Sequence, residues 1–190
     1  MTQKVTGTGP DGTVTTTTEQ RDLAGALRNR TVETLSDDGR IWTRLTDVDG
    51  DGHTDKSETR TEALSGTVSE TVSQVAFDGS ISSREEKSTS DDGLFVLQRT
   101  DRNGDGIWER QVSSITVLNA NGSKTATVVQ SGADGLADSR TVTTTSADGR
   151  SVEVLSDLDG NGVNDLRVTS VSVLASNGVE TETSQTFSRN

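Results

Sequence analysis

The sequence predicts an all-β fold: tandem antiparallel β-meander repeats, about four strands to each unit of roughly 55 residues, with Asp-rich loops between some of the strands. Three observations lead there. Glycines recur at a fixed period. The segments between them are rich in Thr, Val and Ser, which suit pleated backbone. Helix signals are poor throughout.

The period is read directly from glycine positions. Gly12, Gly66, Gly122 and Gly178 stand 54, 56 and 56 apart in the numbering. Gly25, Gly79 and Gly135 are separated by 54 and 56, as are Gly39, Gly93 and Gly149, and Gly52, Gly106 and Gly162. Four turn positions recurring in one order mark a tandem array of one supersecondary unit. The expected repeats are residues 1–58, 59–112 and 113–168, with 169–190 opening a fourth. That last copy stops before its second turn, which suggests a segment of a longer protein.

Within a unit the turn glycines lie roughly 13 to 16 residues apart, room for one strand and its turn each time. Asp38-Gly39, Asp78-Gly79, Asp92-Gly93, Asp148-Gly149, Asn121-Gly122 and Asn177-Gly178 signal hairpins, with type I′ turns expected. Residues 20–28 could form one helical turn, but the equivalent stretches around Gly79 and Gly135 could not, so this segment reads as a loop. Side-chain parity adds a detail. Trp108 and Val112 share one face while Ile115 and Val117 take the other; Leu166 and Val168 share one while Val171 and Val173 switch. A β-bulge or bend is therefore expected near 113–114 and 169–170. The recurring Arg30, Arg84 and Arg140 are expected to pair with cross-strand acids.

Three nine-residue segments stand apart from the plain turns: Asp47–Asp55, Asp101–Glu109 and Asp157–Asp165. Each has oxygen-bearing side chains at positions 1, 3, 5 and 9 and Gly at position 6. A plain turn has no use for that set, and crowding acids without a cation is repulsive. The spacing suits calcium, which takes six to eight oxygens in flexible geometry. The expected ligands are Asp47, Asp49, Asp51, the His53 carbonyl and Asp55; Asp101, Asn103, Asp105, the Ile107 carbonyl and Glu109; and Asp157, Asp159, Asn161, the Val163 carbonyl and Asp165. Three Ca²⁺ ions are expected. Glu58 at position 12 is an optional extra ligand of the first loop, while Val112 and Val168 hold that place in the others. The helix-flanked EF-hand is excluded, since it needs helices and an acid at position 12. For the turns at Gly39, Gly93 and Gly149, ordinary turn chemistry suffices. Magnesium is disfavoured by its stricter octahedral demand, and zinc by the absence of Cys and the single His.

Composition fits a fold that needs such ions. Of 190 residues only 28% are hydrophobic and 3% aromatic, and the net charge is -12. Such a chain cannot offset its ordering entropy by apolar burial alone. The acidic balance excludes a nucleic-acid footprint. No apolar run approaches the length of a bilayer-spanning helix, so no transmembrane helix is expected. No apolar stretch after Met1 reads as a signal peptide.

The run Val-Leu-Asn-Ala-Asn-Gly-Ser at 117–123, Thr-Val-Thr-Thr-Thr-Ser-Ala-Asp-Gly-Arg at 141–150 and Asp-Leu-Asp-Gly-Asn-Gly at 157–162 resemble tandem repeats of large RTX-like calcium-binding surface proteins of proteobacteria. The resemblance covers nearly the whole chain. It implies an extracellular or cell-surface, calcium-loaded, non-catalytic stalk or adhesive segment of a larger secreted bacterial protein. Its implied partners are neighbouring repeats and a surface glycan or protein. The Gly-Gly-x-Gly-x-Asp nonapeptide is absent, so no β-roll is implied. Catalysis is not expected: the carboxylates recur with the repeat, whereas an active site is single. The alternative is a calcium-dependent carbohydrate-binding accessory module of an extracellular enzyme, with Trp42 and Trp108 as its only large aromatic platforms. Thr15–Thr18 and Thr143–Thr145 do not recur as an ice-matching lattice would require.

Overall fold

The computed structural model describes residues 1–189, and they are all-β. Fourteen strands follow one another: β1 (Thr2–Thr8), β2 (Val14–Arg21), β3 (Leu27–Leu35), β4 (Ile41–Asp47), β5 (Lys56–Glu62), β6 (Val68–Val75), β7 (Ile81–Thr89), β8 (Phe95–Asp101), β9 (Arg110–Leu118), β10 (Lys124–Ser131), β11 (Ala137–Thr145), β12 (Ser151–Asp157), β13 (Leu166–Leu174) and β14 (Glu180–Ser188). Among the described residues there is no helix, and so none long and apolar enough to cross a membrane. The chain divides into two compact units: Met1–Asp91 with Gln98–Glu109, and Asp92–Leu97 with Arg110 onward.

In the first unit, β1 to β7 pair consecutively and antiparallel. In the second, β9 to β14 do the same. Strand lengths recur in fours: β2, β3 and β4 have 8, 9 and 7 residues, as do β6, β7 and β8, and β10, β11 and β12. The shorter first spacing of the sequence falls wholly in β5, with 7 residues against 9 in β9 and β13. Removing two residues preserves face alternation, so the ladder tolerates it.

Neither meander has an apolar core. No hydrophobic residue is buried among those described, and strands within each unit touch only their chain neighbours. Each unit is therefore one layer, with both faces meeting water. Cross-strand rows replace a core. On one face of the first unit Thr15, Thr34, Thr43, Thr59 and Thr71 stand opposite one another in five successive strands. On the other face Arg44 lies between Glu33 (2.6 Å) and Glu58 (3.6 Å) and over the Trp42 ring. Cross-strand pairs contribute only about 0.2–1 kcal/mol each, whereas fixing each residue's backbone costs about 1–2 kcal/mol. Such rows do not suffice alone, so the loops joining the strands become the place to look for further stabilisation.

The turns depart from expectation. Among the described residues no non-glycine has positive φ, which excludes type I′. Instead, at Ala63–Thr67, the Ala63 N–H donates to Thr67 O (2.8 Å) and the Gly66 N–H to Ala63 O (2.9 Å), with Gly66 at φ 82°. This is a type I turn closed by a left-handed glycine, a three-residue hairpin loop. The residue before glycine serves another purpose. Its side chain accepts the N–H two residues on, as Asp38 does from Arg40 (3.1 Å), Asp148 from Arg150 (3.1 Å) and Asn121 from Ser123 (3.1 Å).

The expected bulges also move. Pairing runs unbroken through 113–114 and 169–170. The register shifts fall at Gln20/Arg21, Gln74/Val75 and Gln130/Ser131, where the turns after β2, β6 and β10 begin. Side-chain parity demands a bend there only where one face must stay buried, and here neither face is. Trp108 moreover lies outside β9, so its parity is not that of the strand. Residues 22–26 alone form the loop expected over 20–28, with β2 and β3 closing in on either side.

Candidate metal centres

The three Asp-rich segments all sit where a strand of the meander turns back beside a bulged hairpin. In the first unit, the loop after β4 and the loop after β8 share one edge with the β2–β3 and β6–β7 turns. In the second unit, the loop after β12 shares its edge with the β10–β11 turn. Contact with the bulge is close. A Cβ on Gly50 would lie 2.4 Å from Leu27 O, on Gly104 1.8 Å from Ile81 O, and on Gly160 1.8 Å from Ala137 O. Position 4 thus requires glycine twice over, for this approach and for its positive φ of 82°, 72° and 71°. Sequence reasoning singled out position 6 only. The signal was present, because Gly50, Gly104 and Gly160 recur in the same frame.

Each loop is built by the same hydrogen bonds. The position-1 carboxylate accepts the N–H of position 6: Gly52 to Asp47 (2.9 Å), Gly106 to Asp101 (3.1 Å) and Gly162 to Asp157 (2.8 Å). The position-5 side chain accepts the N–H of position 7 at 2.8 Å in all three: His53 to Asp51, Ile107 to Asp105 and Val163 to Asn161. The position-9 carboxylate accepts the N–H of position 2: Val48 to Asp55 (2.6 Å), Arg102 to Glu109 (2.8 Å) and Leu158 to Asp165 (2.7 Å). These bonds fold nine residues into a closed ring of oxygens.

The carboxylates converge as the spacing requires. Asp47, Asp49 and Asp55 bring oxygens within 4.8 Å of one another, as do Asp101, Asp105 and Glu109, and Asp157, Asp159 and Asp165. Each group could hold a metal ion. Asp51 stands outside the first acidic group, while Asn103 and Asn161 occupy places in the other loops as side-chain acceptors. The His53 ring stacks on Phe77, with centroids 4.2 Å apart. Glu58 belongs to the face of β5, where it pairs with Lys56 (3.0 Å) and Arg44. That ion pairing accounts for the twelfth position of the first loop without a ligand role.

Burial singles out position 1. Asp47 is 6% exposed, Asp101 1% and Asp157 3%; with Ser73 and Ser156 they are the buried side chains among the described residues, none of which is a buried hydrophobic one. A buried carboxylate is costly unless it is hydrogen-bonded, paired or metal-bound. Asp47 meets this with N–H groups on both oxygens, from Gly50 (2.6 Å) and Gly52. Asp101 has the equivalent Gly104 (2.7 Å) and Gly106 bonds, and adds the Arg84 guanidinium at 3.5 Å. Asp157 keeps the Gly162 bond on Oδ2 but has no guanidinium beside it, and its Oδ1 is buried with no hydrogen-bond partner. Burial acts to raise the Asp157 carboxyl, but amide donation led by Gly162 outweighs it and holds the group below the ordinary Asp range. The carboxylate is thus kept charged, with one oxygen free to coordinate.

Arg84 fulfils the expected cross-strand pairing with Asp101, and its surroundings bring in Arg99, which the sequence did not single out. Its guanidinium lies 4.2 Å from the Trp108 ring centroid, and that of Arg99 lies 4.5 Å from the same ring. Arg99 in turn bonds Glu86. Arg30 stands opposite Asp47 in register but pairs with Glu19 (3.8 Å). Arg140 stands opposite Asp157, and no ion pair joins them among the described residues.

Comparison with family models, curated proteins and solved structures finds no match to this chain.

Proposed function

We propose that this chain is a calcium-binding structural array, a calcium-rigidified stalk or adhesive segment of a larger secreted bacterial surface protein. One observation carries the reading. Among the described residues no hydrophobic side chain is buried, yet three carboxylates are, and Asp157 Oδ1 is left without a partner. Oxygen-only donors at alternating positions suit calcium over softer metals, and calcium tolerates loops whose donor sets differ slightly. Three divalent ions would supply +6 against the net charge of -12, and so relieve self-repulsion in the folded state.

The ions also explain how a one-layer meander stands. Each loop spans the end of one strand and the start of the next. In the first, the Asp55 N–H donates to Thr46 O and its carbonyl accepts the Val75 N–H, both at 2.8 Å. A cation held by Asp47 and Asp55 would therefore tie three consecutive strands. Metal-binding energy then becomes folding energy. At millimolar extracellular calcium, sites with affinities of about 10⁻⁴–10⁻³ M are occupied, and each occupied site adds stability by mass action. This favours a location at or outside the cell surface, in keeping with the resemblance to RTX-like surface proteins. The carbohydrate-binding alternative has less support, because guanidinium groups lie over Trp42 and Trp108.

Calcium titration by calorimetry, with circular dichroism on the same samples, tests the reading. Three sites with coupled gain of β-structure are expected. An absence of heat together with an unchanged spectrum overturns it.

A further inference from the structure

We propose that Arg84 is a built-in counter-ion of the second acidic loop, which makes that loop the last of the three to take up calcium; this rests on the calcium reading above. The second and third loops carry equal acid counts, Asp101, Asp105 and Glu109 against Asp157, Asp159 and Asp165. They differ at position 1. Asp101 is 1% exposed with Arg84 at 3.5 Å from its Oδ2, whereas the Oδ1 of Asp157 is buried and unpartnered. A cation entering the second loop meets a guanidinium beside its most buried ligand, and must share that carboxylate or displace Arg84. A cation entering the third loop supplies the partner that Asp157 lacks. The first loop shares only the absence of such a counter-ion, since Arg30 is drawn to Glu19 and not to Asp47, whose two oxygens take the Gly50 and Gly52 N–H groups.

Arg84 is also held in place. The Trp108 ring stacks against it at 4.2 Å, and Arg99 packs against the same ring. Displacement thus breaks a cation–π contact as well as an ion pair. Arg102 at position 2 adds a second positive charge, but its side chain is exposed and its effect is screened by solvent. The arrangement makes Trp108 a reporter, because filling the second loop changes the charge stacked on its ring.

The test uses the whole chain carrying Trp42→Phe, so that Trp108 is the only indole. Calcium is titrated while Trp108 emission reports the second loop and calorimetry reports all sites. The Trp108 midpoint is expected about fivefold to tenfold above the midpoint of the earlier sites. Arg84→Gln should lower that midpoint by a similar factor, while Arg84→Lys and Arg102→Gln leave it nearly unmoved. A Trp108 midpoint at or below that of the other sites overturns the inference, and needs no Arg84 variant to be read. So does an unmoved midpoint in folded Arg84→Gln. Either result with calorimetric binding intact leaves the calcium reading standing, whereas no heat in any variant defeats that reading itself.

Discussion

The two edges of the first unit use the same dipeptide differently. On one edge, Asp38-Gly39 closes a plain turn, with an exposed carboxylate bonded to the Arg40 N–H and the Ser36 hydroxyl (2.7 Å). On the other, Asp49-Gly50 and Asp51-Gly52 lie in a loop whose first aspartate is 6% exposed and takes two N–H groups. Asp-Gly alone therefore says only that the chain turns. What separates a site from a turn is the burial of a carboxylate five residues before the second glycine. The second unit repeats the contrast, with Asp148-Gly149 at a plain turn and buried Asp157 heading the loop.

The largest expected effect comes from glycines that look alike in sequence. Gly149 and Gly160 have φ of 72° and 71°, but a Cβ on Gly149 meets open space and one on Gly160 meets the Ala137 carbonyl oxygen. Gly149→Ala should cost only the left-handed backbone penalty, about 1–2 kcal/mol. Gly160→Ala adds a backbone collision and should cost about 3 kcal/mol or more. It should also remove one calcium site. Thermal melts in calcium compare the two directly, and equal losses would show that the loop does not press on the bulge.

A calcium-dependent loss should follow at position 1 of the third loop. Asp157→Asn removes a buried charge whose Oδ1 has no partner. In calcium the variant loses a ligand, so its melting temperature should fall below that of the parent chain. In calcium-free buffer it loses the carboxylate that accepts the Gly162 N–H but also a buried Oδ1 with no partner, so its melting temperature should fall much less than in calcium. The equivalent Asp101→Asn strips Arg84 and two N–H groups of their partner, so it should lower the melting temperature in both conditions. Melting temperatures that fall equally in both buffers for Asp157→Asn would mean that its carboxylate is satisfied without a cation.

How much of this was legible in sequence depends on which force was at work. The four-turn period, the strand order within each unit and the three convergent loops were all legible, because glycine placement and alternating acids are local constraints. The bulges were misplaced because parity was read as if a buried face existed, and only three-dimensional packing shows that none does. The type I′ turns were misread because Asp38-Gly39 and its equivalents serve a side-chain bond across the glycine, which dipeptide identity does not reveal. Glu58 looked like a ligand by spacing, yet Lys56 and Arg44 claim it across β4 and β5. Position 4 of each loop was visible as Gly50, Gly104 and Gly160, but its reason, a carbonyl from the preceding hairpin, lies two strands back along the chain.

Acid should separate the two kinds of aspartate more gently. At the plain turns, Asp38, Asp78 and Asp148 lie below the ordinary Asp value, chiefly through the Ser36, Ser80 and Ser146 hydroxyls and then through backbone N–H groups. Their contribution is present above the ordinary value and is lost only as pH falls through their depressed folded values. Calcium binding needs several carboxylates deprotonated at once, so each proton taken up by a loop works against the ion. As the solution is acidified from neutral pH, the gap in melting temperature between calcium and calcium-free buffer should therefore close first, while the turns still hold.

The smallest effect belongs to a single turn. Asp148→Ala removes the acceptor of the Arg150 N–H and the Ser146 hydroxyl. Ordinary turn chemistry accounts for that turn, so the melting temperature should drop slightly and by the same amount with and without calcium. A drop that depends on calcium would mean that the plain edge also binds, and that burial is the wrong criterion for telling site from turn.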